Sequence, residues 1–360
     1  MVDINTPQFT ILGMSGSGKT SYLLGVYKKM SAGIKGFSFS TDDDTDVVLR
    51  TRFERMSSND LGIDRFPLGT DQVDIYKFTL EYTLDPIMDF NWIDYPGDAL
   101  NEKKSGDIDT YNNLSSYILN SQVLFICVDG SLLGGTENNN DKIEILQDNC
   151  SSSMNLFFSR YLKENNYLPP IAIIITKADL CDNSCTNDNY EKIIREAFNP
   201  LFAKNSKSHR FVSIIPVSLG RDISINNYTG KISPKRVEIP IYMAIWFTLK
   251  LSLNNIKNEQ INLSFNISEA EQKKSFEKNK FFFFRSESKI KSLESNIKFY
   301  AEELRKIRAN IEKSKDDLKR LLEVLNKNNQ LVYFNGNKYK LFQDAAENYI
   351  KYRISNDGKS

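Results

Sequence analysis

The stretch Gly13-Met14-Ser15-Gly16-Ser17-Gly18-Lys19-Thr20 narrows the fold more than any other in this chain. It follows an apolar run, Phe9–Leu12, and opens a segment with helical spacing from Lys19 to about Met30. Strand, glycine-rich loop and helix in that order give G-x-x-x-x-G-K-[ST] its meaning. Glycines let the backbone turn successive N–H groups inward as an anion nest, and the following helix adds the positive end of its dipole. The cradle is expected to comprise Gly13, Ser15, Gly16, Ser17, Gly18, Lys19, Thr20 and Ser21. Lys19 would reach outer phosphates, and the Thr20 hydroxyl would bind Mg2+.

Up to about residue 252, short apolar runs alternate with helix-like segments. Asp74–Tyr82 and Met88–Ile93 alternate like neighbouring strands, and Arg210–Val217 reads as another. Val123–Val128 and Ile171–Thr176 are continuous apolar runs, the mark of strands buried on both faces. Asp141–Leu162, Tyr190–Phe198 and Ile239–Leu253 read as helices. Such alternation predicts an α/β fold with a mostly parallel sheet between helices. In such sheets ligands bind at the carboxyl ends of the strands, so strand exits are where chemistry belongs.

Composition removes several other classes. The 47 basic and 46 acidic residues nearly cancel, so no global field favours nucleic acid or an anionic membrane. Ile239–Leu253 is too short to span a bilayer and carries Lys250, and MVDINTPQF is no secretion signal. The four cysteines read as reduced packing or loop residues, and His209 is the single histidine, which leaves zinc sites and histidine triads without support. A cytoplasmic setting is expected.

Two further strand exits carry matching chemistry. Asp94-Tyr95-Pro96-Gly97 follows "FNWI"; its acid can hold Mg2+ through water, and Gly97 can offer its N–H to a terminal phosphate. Thr176-Lys177-Ala178-Asp179 follows "IAIII". Asp179 can accept from the ring N–H and amino group of guanine while the Lys177 stem covers the base. Adenine lacks that donor pair, so the contact would select GTP/GDP over ATP. Ser218 and Leu219, after the last strand, would close over the base with a backbone N–H.

With these residues in view, 8–253 resembles a Ras-like P-loop GTPase domain of the translation-factor-related class. GMSGSGKT resembles its phosphate loop, DYPG the DxxG switch, TKAD the base reader NKxD, and VSLG the SAx-like loop. The wording "GMSGSGKTSYLLG … FPLGT … FNWIDYPG" is similar to the bacterial double-GTPase group, which implies a conflict or defence setting and protein partners. Three departures stand out. Thr176 replaces the usual asparagine that ties the phosphate loop to the base loop; a threonine can donate one hydrogen bond there. Asp98 stands where Ras-like enzymes often carry a water-positioning glutamine, which implies slow hydrolysis. The segment before Asp74 is long: Thr70 is the candidate switch threonine for Mg2+ and the terminal phosphate, with Thr41 and Thr45 as rivals. The acidic residues Asp42, Asp43, Asp44 and Asp46 suit a helix N-terminus, and Arg50, Arg52 and Arg55 lie in the same insertion. The resemblance therefore implies Lys19, Thr70, Gly97 and Asp98 as catalytic residues, with Thr20, Thr70 and Asp94 around the metal.

After Leu253 the texture changes, so the chain is expected to divide into a G domain over 1–253 and an arm over 254–360. "QINLSFNIS" alternates Ile261, Leu263, Phe265 and Ile267 with polar residues and predicts a strand. "KNKFFFFRS" is expected to pack on a neighbouring element rather than dip into a membrane. From Ile290 to Leu325 apolar residues recur at spacings of three and four, a coiled-coil stripe that wants a partner helix in this chain or another. Asn335-Gly336 between apolar runs predicts a hairpin, expected to pair with residues 261–267, and "DAAENYIKYRI" a closing helix. The reading is a Mg2+-dependent guanine-nucleotide switch with slow GTP hydrolysis that signals through the arm to a protein partner or itself. A nucleotide-binding scaffold without turnover is the alternative, and an ATP-using P-loop enzyme is the reading that Asp179 opposes.

Overall fold

The computed structural model describes residues 6–58, 65–67, 72–97, 108–134, 138–181, 187–204, 208–220, 232–281, 284, 286–328 and 330–357. Among these residues seven strands precede the long helices: β1 (Gln8–Leu12), β2 (Phe37–Ser40), β3 (Asp74–Tyr82), β4 (Asp85–Asp94), β5 (Ser121–Asp129), β6 (Ile171–Thr176) and β7 (Phe211–Pro216). Two short strands, β8 (Leu331–Phe334) and β9 (Asn337–Tyr339), complete one nine-stranded sheet in the order β2-β3-β4-β1-β5-β6-β7-β8-β9. β4, β1, β5, β6 and β7 run parallel, and the pairs outside them are antiparallel. β1 and β6 are buried along their whole length, as apolar strands covered on both faces must be.

The register decides where chemistry can collect. Ile11 pairs with Asp94, Leu12 with Ile126, Asp129 with Thr176, and Ile175 with Pro216. The carboxyl ends of all five parallel strands therefore lie side by side on one edge of the sheet. Helix α1 (Lys19–Ser31) leaves the first of these ends and buries Tyr22, Leu23, Leu24, Val26 and Met30 against the sheet. Helix α2 (Asp43–Met56) starts at Asp42, whose carboxylate accepts from Thr45 N, with Asp43, Asp44 and Asp46 in its first turn. The acidic run thus sits at a helix N-terminus. The helical stretch expected over 141–162 is interrupted: helices α3 (Asn139–Leu146) and α4 (Ser152–Asn165) flank a π turn at Gln147–Ser151.

The C-terminal region departs from several sequence expectations. Helix α5 (Ile239–Lys278) runs unbroken through residue 253 and through the segment 261–267 that was expected to be a strand. Its first half is buried in the sheet's core, where Trp246 and Phe247 stack edge-on against Phe342, and Phe247 against Phe211. From Leu249 onward it carries Leu249, Leu253, Ile256, Leu263, Ile267 and Ala270 at spacings of three, four or seven, while Ile261 and Phe265 are exposed. The alternation was half of a helical stripe: Leu263 and Ile267 stand one turn apart.

That stripe faces α6 (Glu287–Lys327), the expected heptad helix, in which Ile290, Leu304, Ile307, Ile311, Leu318, Leu321 and Leu325 are buried. Lys274 and Lys278 both pair with Glu294 at one end, and Arg236 donates to Asn328 O at the other, so α5 and α6 form an antiparallel hairpin within one chain. The β-hairpin does not meet residues 261–267 either. β8 pairs with β7 from Phe211↔Phe334 to Ile214↔Leu331 and supplies partners for an edge that would otherwise be open. Helix α7 (Phe342–Asp357) follows, with Phe342 packed on Phe211 of β7 and Tyr349 on Phe247 of α5. The phenylalanines expected to pack do not: Phe281 and Phe284 are 85% and 76% exposed, while Phe282 and Phe283 lie outside the described residues. Among the described residues no helix is long and apolar enough to cross a membrane.

Candidate functional site

The loop after β1 folds as its glycines dictate. Gly16 and Gly18 take φ values of +79° and +85°, a region that side-chain-bearing residues avoid, and Gly18 caps α1. Lys19 is buried, and its ammonium donates to Gly13 O at 2.8 Å and Met14 O at 3.3 Å, so it lies back across the loop it serves. Thr20 Oγ1 donates to Asp94 Oδ2 at 3.1 Å, which joins the start of α1 to the end of β4. The hydroxyl and carboxylate that meet beside the glycine-rich loop are hard oxygen donors, a ligand type that suits Mg2+. Gly97 presses onto the same loop: a Cβ there would lie 2.3 Å from Ser15 N and 2.7 Å from Met14 C. Only a glycine permits that approach.

The loop after β6 is tied to the loop after β1 directly. Thr176 Oγ1 lies 2.7 Å from Ser17 O and 3.1 Å from Val128 O, so the threonine holds the two loops together as expected of its hydroxyl. Lys177 adopts φ +49°, reaches Gly16 O at 3.2 Å and pairs with Asp129 at 2.5 Å. Behind them, Ala178 N donates to Val217 O, and Ser218 exchanges backbone hydrogen bonds with Lys235. Tyr22 Oη donates to Val237 O at 2.9 Å from within the core, and burial raises its phenol well above the ordinary value, so it stays a donor.

One cavity of about 360 Å³ runs between these loops. Its lining includes Ser15, Gly16, Gly18, Lys19, Thr20 and Ser21 from the loop after β1 and the start of α1, Thr176, Lys177 and Asp179 from the end of β6, Ser218 and Leu219 after β7, and Gly97. Gly13 and Ser17 belong to the loop without lining the cavity. Thr70 and Asp98 lie outside the described residues, although Phe66 and Pro67, just before Thr70, line the cavity. The rival threonines sit elsewhere: Thr41 Oγ1 donates to Lys77 O, and Thr45 is bonded to the α2 cap Asp42. Arg50 pairs with Asp46 and Arg52 with Tyr76 Oη, both away from the cavity lining.

Sequence reasoning passed over Asp129, Ser131 and Val237. Ser131 and Val237 line the cavity, and Asp129 anchors Lys177. Asp129 had a signal that went unused: it ends β5, the one parallel strand whose exit was not read, in register with Thr176.

Residues 9–222 match the family model described as Double-GTPase 2. A search of the curated proteins finds no match. Among solved structures the chain is similar to the S. cerevisiae Ski7 GTPase-like domain bound to GTP, at 19% identity over 61% of this chain and 45% of that one, with a TM-score of 0.34. The same domain bound to GDP and inorganic phosphate matches at 18% identity over 62% and 46%, with a TM-score of 0.28. An SsGBP mutation variant matches at 16% identity over 59% and 51%, also with a TM-score of 0.28. The chain spans about half the length of those structures.

Proposed function

The chain belongs to the Double-GTPase 2 family, and from that premise we propose that it is a Mg2+-dependent guanine-nucleotide switch that hydrolyses GTP slowly. The observation that carries this reading is that one cavity is lined both by residues of the Ser15–Ser21 loop and by Asp179. In this reading the loop amides hold the phosphates, and Lys19 exchanges its two carbonyl partners for phosphate oxygens. Asp179 accepts from the paired donors of guanine, Lys177 covers the base, and Ser218 and Leu219 close the far wall. Mg2+, held by Thr20 and through water by Asp94, would neutralise charge on the outer phosphates. Gly97 donates its N–H to the terminal phosphate, and Thr70 is the proposed switch-I ligand, so both segments respond to whether that phosphate is present. Asp98, beside Gly97, makes hydrolysis slow by placing an acid where a neutral water-positioning group would serve better.

The helical hairpin of α5 and α6 is the proposed output, acting on a protein partner; a cytoplasmic conflict or defence system is the setting that the resemblance implies. α5 supports that route, because the helix that leaves the nucleotide-binding core also forms the hairpin. A second reading rests on Asp98: a scaffold that holds GTP or GDP without turnover.

Calorimetric titration with GTP, GDP and ATP in Mg2+ tests the site, with Asp179→Ala as the decisive variant. Losing the two charge-assisted hydrogen bonds should weaken GTP and GDP by roughly 100-fold or more and leave ATP affinity where it was. Retained guanine preference in Asp179→Ala would remove the base-reading assignment. Multiple-turnover phosphate release against Lys19→Ala separates the switch from the scaffold: rates equal to that control favour the scaffold.

A further inference from the structure

The near-zero net charge of the chain conceals a local imbalance at the tip of the helical hairpin. From Gln272 to Glu294 there are seven basic residues and three acidic ones. One of the three, Glu277, is 2% exposed and works as a staple: it accepts from Ser286 N at 3.2 Å and Lys280 at 2.7 Å, with Lys289 at 3.8 Å. Glu294 pairs back to Lys274 and Lys278 on the opposite helix. These contacts fix the ends of α5 and α6, and Phe284 N closes a turn on Phe281 O. Phe276 on the last turn of α5, and Phe281 and Phe284 on the turn beyond it, are 70%, 85% and 76% exposed. α5 continues for 25 residues beyond Leu253, the last core residue of its first half, which carries the tip roughly 37 Å along the helix.

We propose that this tip is a membrane-surface anchor, which places Phe276, Phe281 and Phe284 at the acyl boundary of an anionic bilayer while the flanking lysines meet its headgroups. Three exposed rings within nine residues at one end of an arm concentrate apolar surface that water alone does not stabilise. Aromatic rings beside lysines suit the bilayer interface, where rings sit at headgroup depth and long basic side chains reach outward. The charge excess selects lipid of negative sign. Spanning is not involved, since the site is a turn between two polar-faced helices.

Flotation of the full chain with vesicles tests this, using phosphatidylcholine alone against phosphatidylcholine with about 30% phosphatidylserine. Binding to the anionic vesicles, weakened by salt, is expected, with little to the neutral ones. The double variant Phe281→Ser/Phe284→Ser should lose at least about tenfold in partitioning, and Lys273→Glu/Lys291→Glu, which leaves the Glu277 and Glu294 contacts in place, a similar factor. Phe265→Ser/Phe299→Ser, which removes exposed rings set back from the tip, should bind like the parent. Unchanged circular dichroism and GTP affinity in each variant certify the fold. Absence of anionic-vesicle binding, equal binding to both vesicles, or equal loss in the set-back variant overturns the proposal. So does a doubled solution mass without lipid that Phe281→Ser/Phe284→Ser abolishes, which would make the patch a self-association surface.

Discussion

Replacing Thr176 by valine removes one proton donor and almost no volume, which makes it the cleanest perturbation of the proposed site. Thr176 is 4% exposed, and its hydroxyl has Ser17 O at 2.7 Å and Val128 O at 3.1 Å. A hydroxyl has a single proton, so the two carbonyls share one donor and the linkage counts as one hydrogen bond. A neutral buried hydrogen bond contributes about 0.5–1.5 kcal/mol, and leaving a buried partner unpaired brings the loss to about 1–3 kcal/mol. A loss of about 1–2 kcal/mol is therefore expected, which corresponds to about 5–30-fold in a dissociation constant. It should appear in nucleotide binding because the unliganded loops lose the tie that holds them ready for a ligand. GTP and GDP should weaken by the same factor, since Thr176 touches the Ser17 end of the loop and nothing near a third phosphate. Calorimetry with both nucleotides measures this, and Thr176→Ser, which keeps the hydroxyl, should stay near the parent. Unchanged affinity in Thr176→Val, or a loss confined to GTP, refutes the reasoning.

The remaining expectations probe other contacts. Gly97→Ala forces a Cβ into the backbone of Ser15 and Met14, neither of which can swing aside; GTP affinity should fall about 10–100-fold with GDP affinity nearly kept, as seen by calorimetry. Gly336→Ala meets both a φ of +74° and a Cβ position 2.1 Å from Phe202 O, so denaturant melts should show a loss of roughly 2–4 kcal/mol. Burial holds the His209 imidazole below its ordinary value of 6.5, so the unfolded chain takes up the proton first. Its contribution is present above pH 6.5 and lost as pH falls below it; melting temperature should drop on acidification from pH 7, and His209→Gln should flatten that slope.

The reach of the sequence differed between the two ends of the chain. The motifs at Gly13–Ser21, Asp94–Gly97 and Thr176–Asp179 are local: each needs a strand, a turn and a few side chains within a dozen residues. The acidic residues before α2 announced a helix start for the same reason, since capping depends on neighbours three or four residues away. Asp129 was equally local but anonymous, an acid at a strand end whose partner Lys177 lies 48 residues on. The segment 261–267 misled because Leu263 and Ile267 satisfy both a two-residue and a 3.6-residue period. Nothing within seven residues distinguishes the two.

Residue types and spacings alone determined that this chain would carry a glycine-rich loop ending in Lys-Thr, an acid after "FNWI" and the run TKAD, each at the exit of a strand. Whether those exits faced one another depended on strand order and register, which come from pairing between segments far apart in the chain. The destiny of the C-terminal third was decided the same way. The helix over 261–267 gains stability by burying its stripe on a helix some 40 residues later, and β8 is held by the open edge of β7. Local pattern states which face is apolar; only the assembled fold states what covers it.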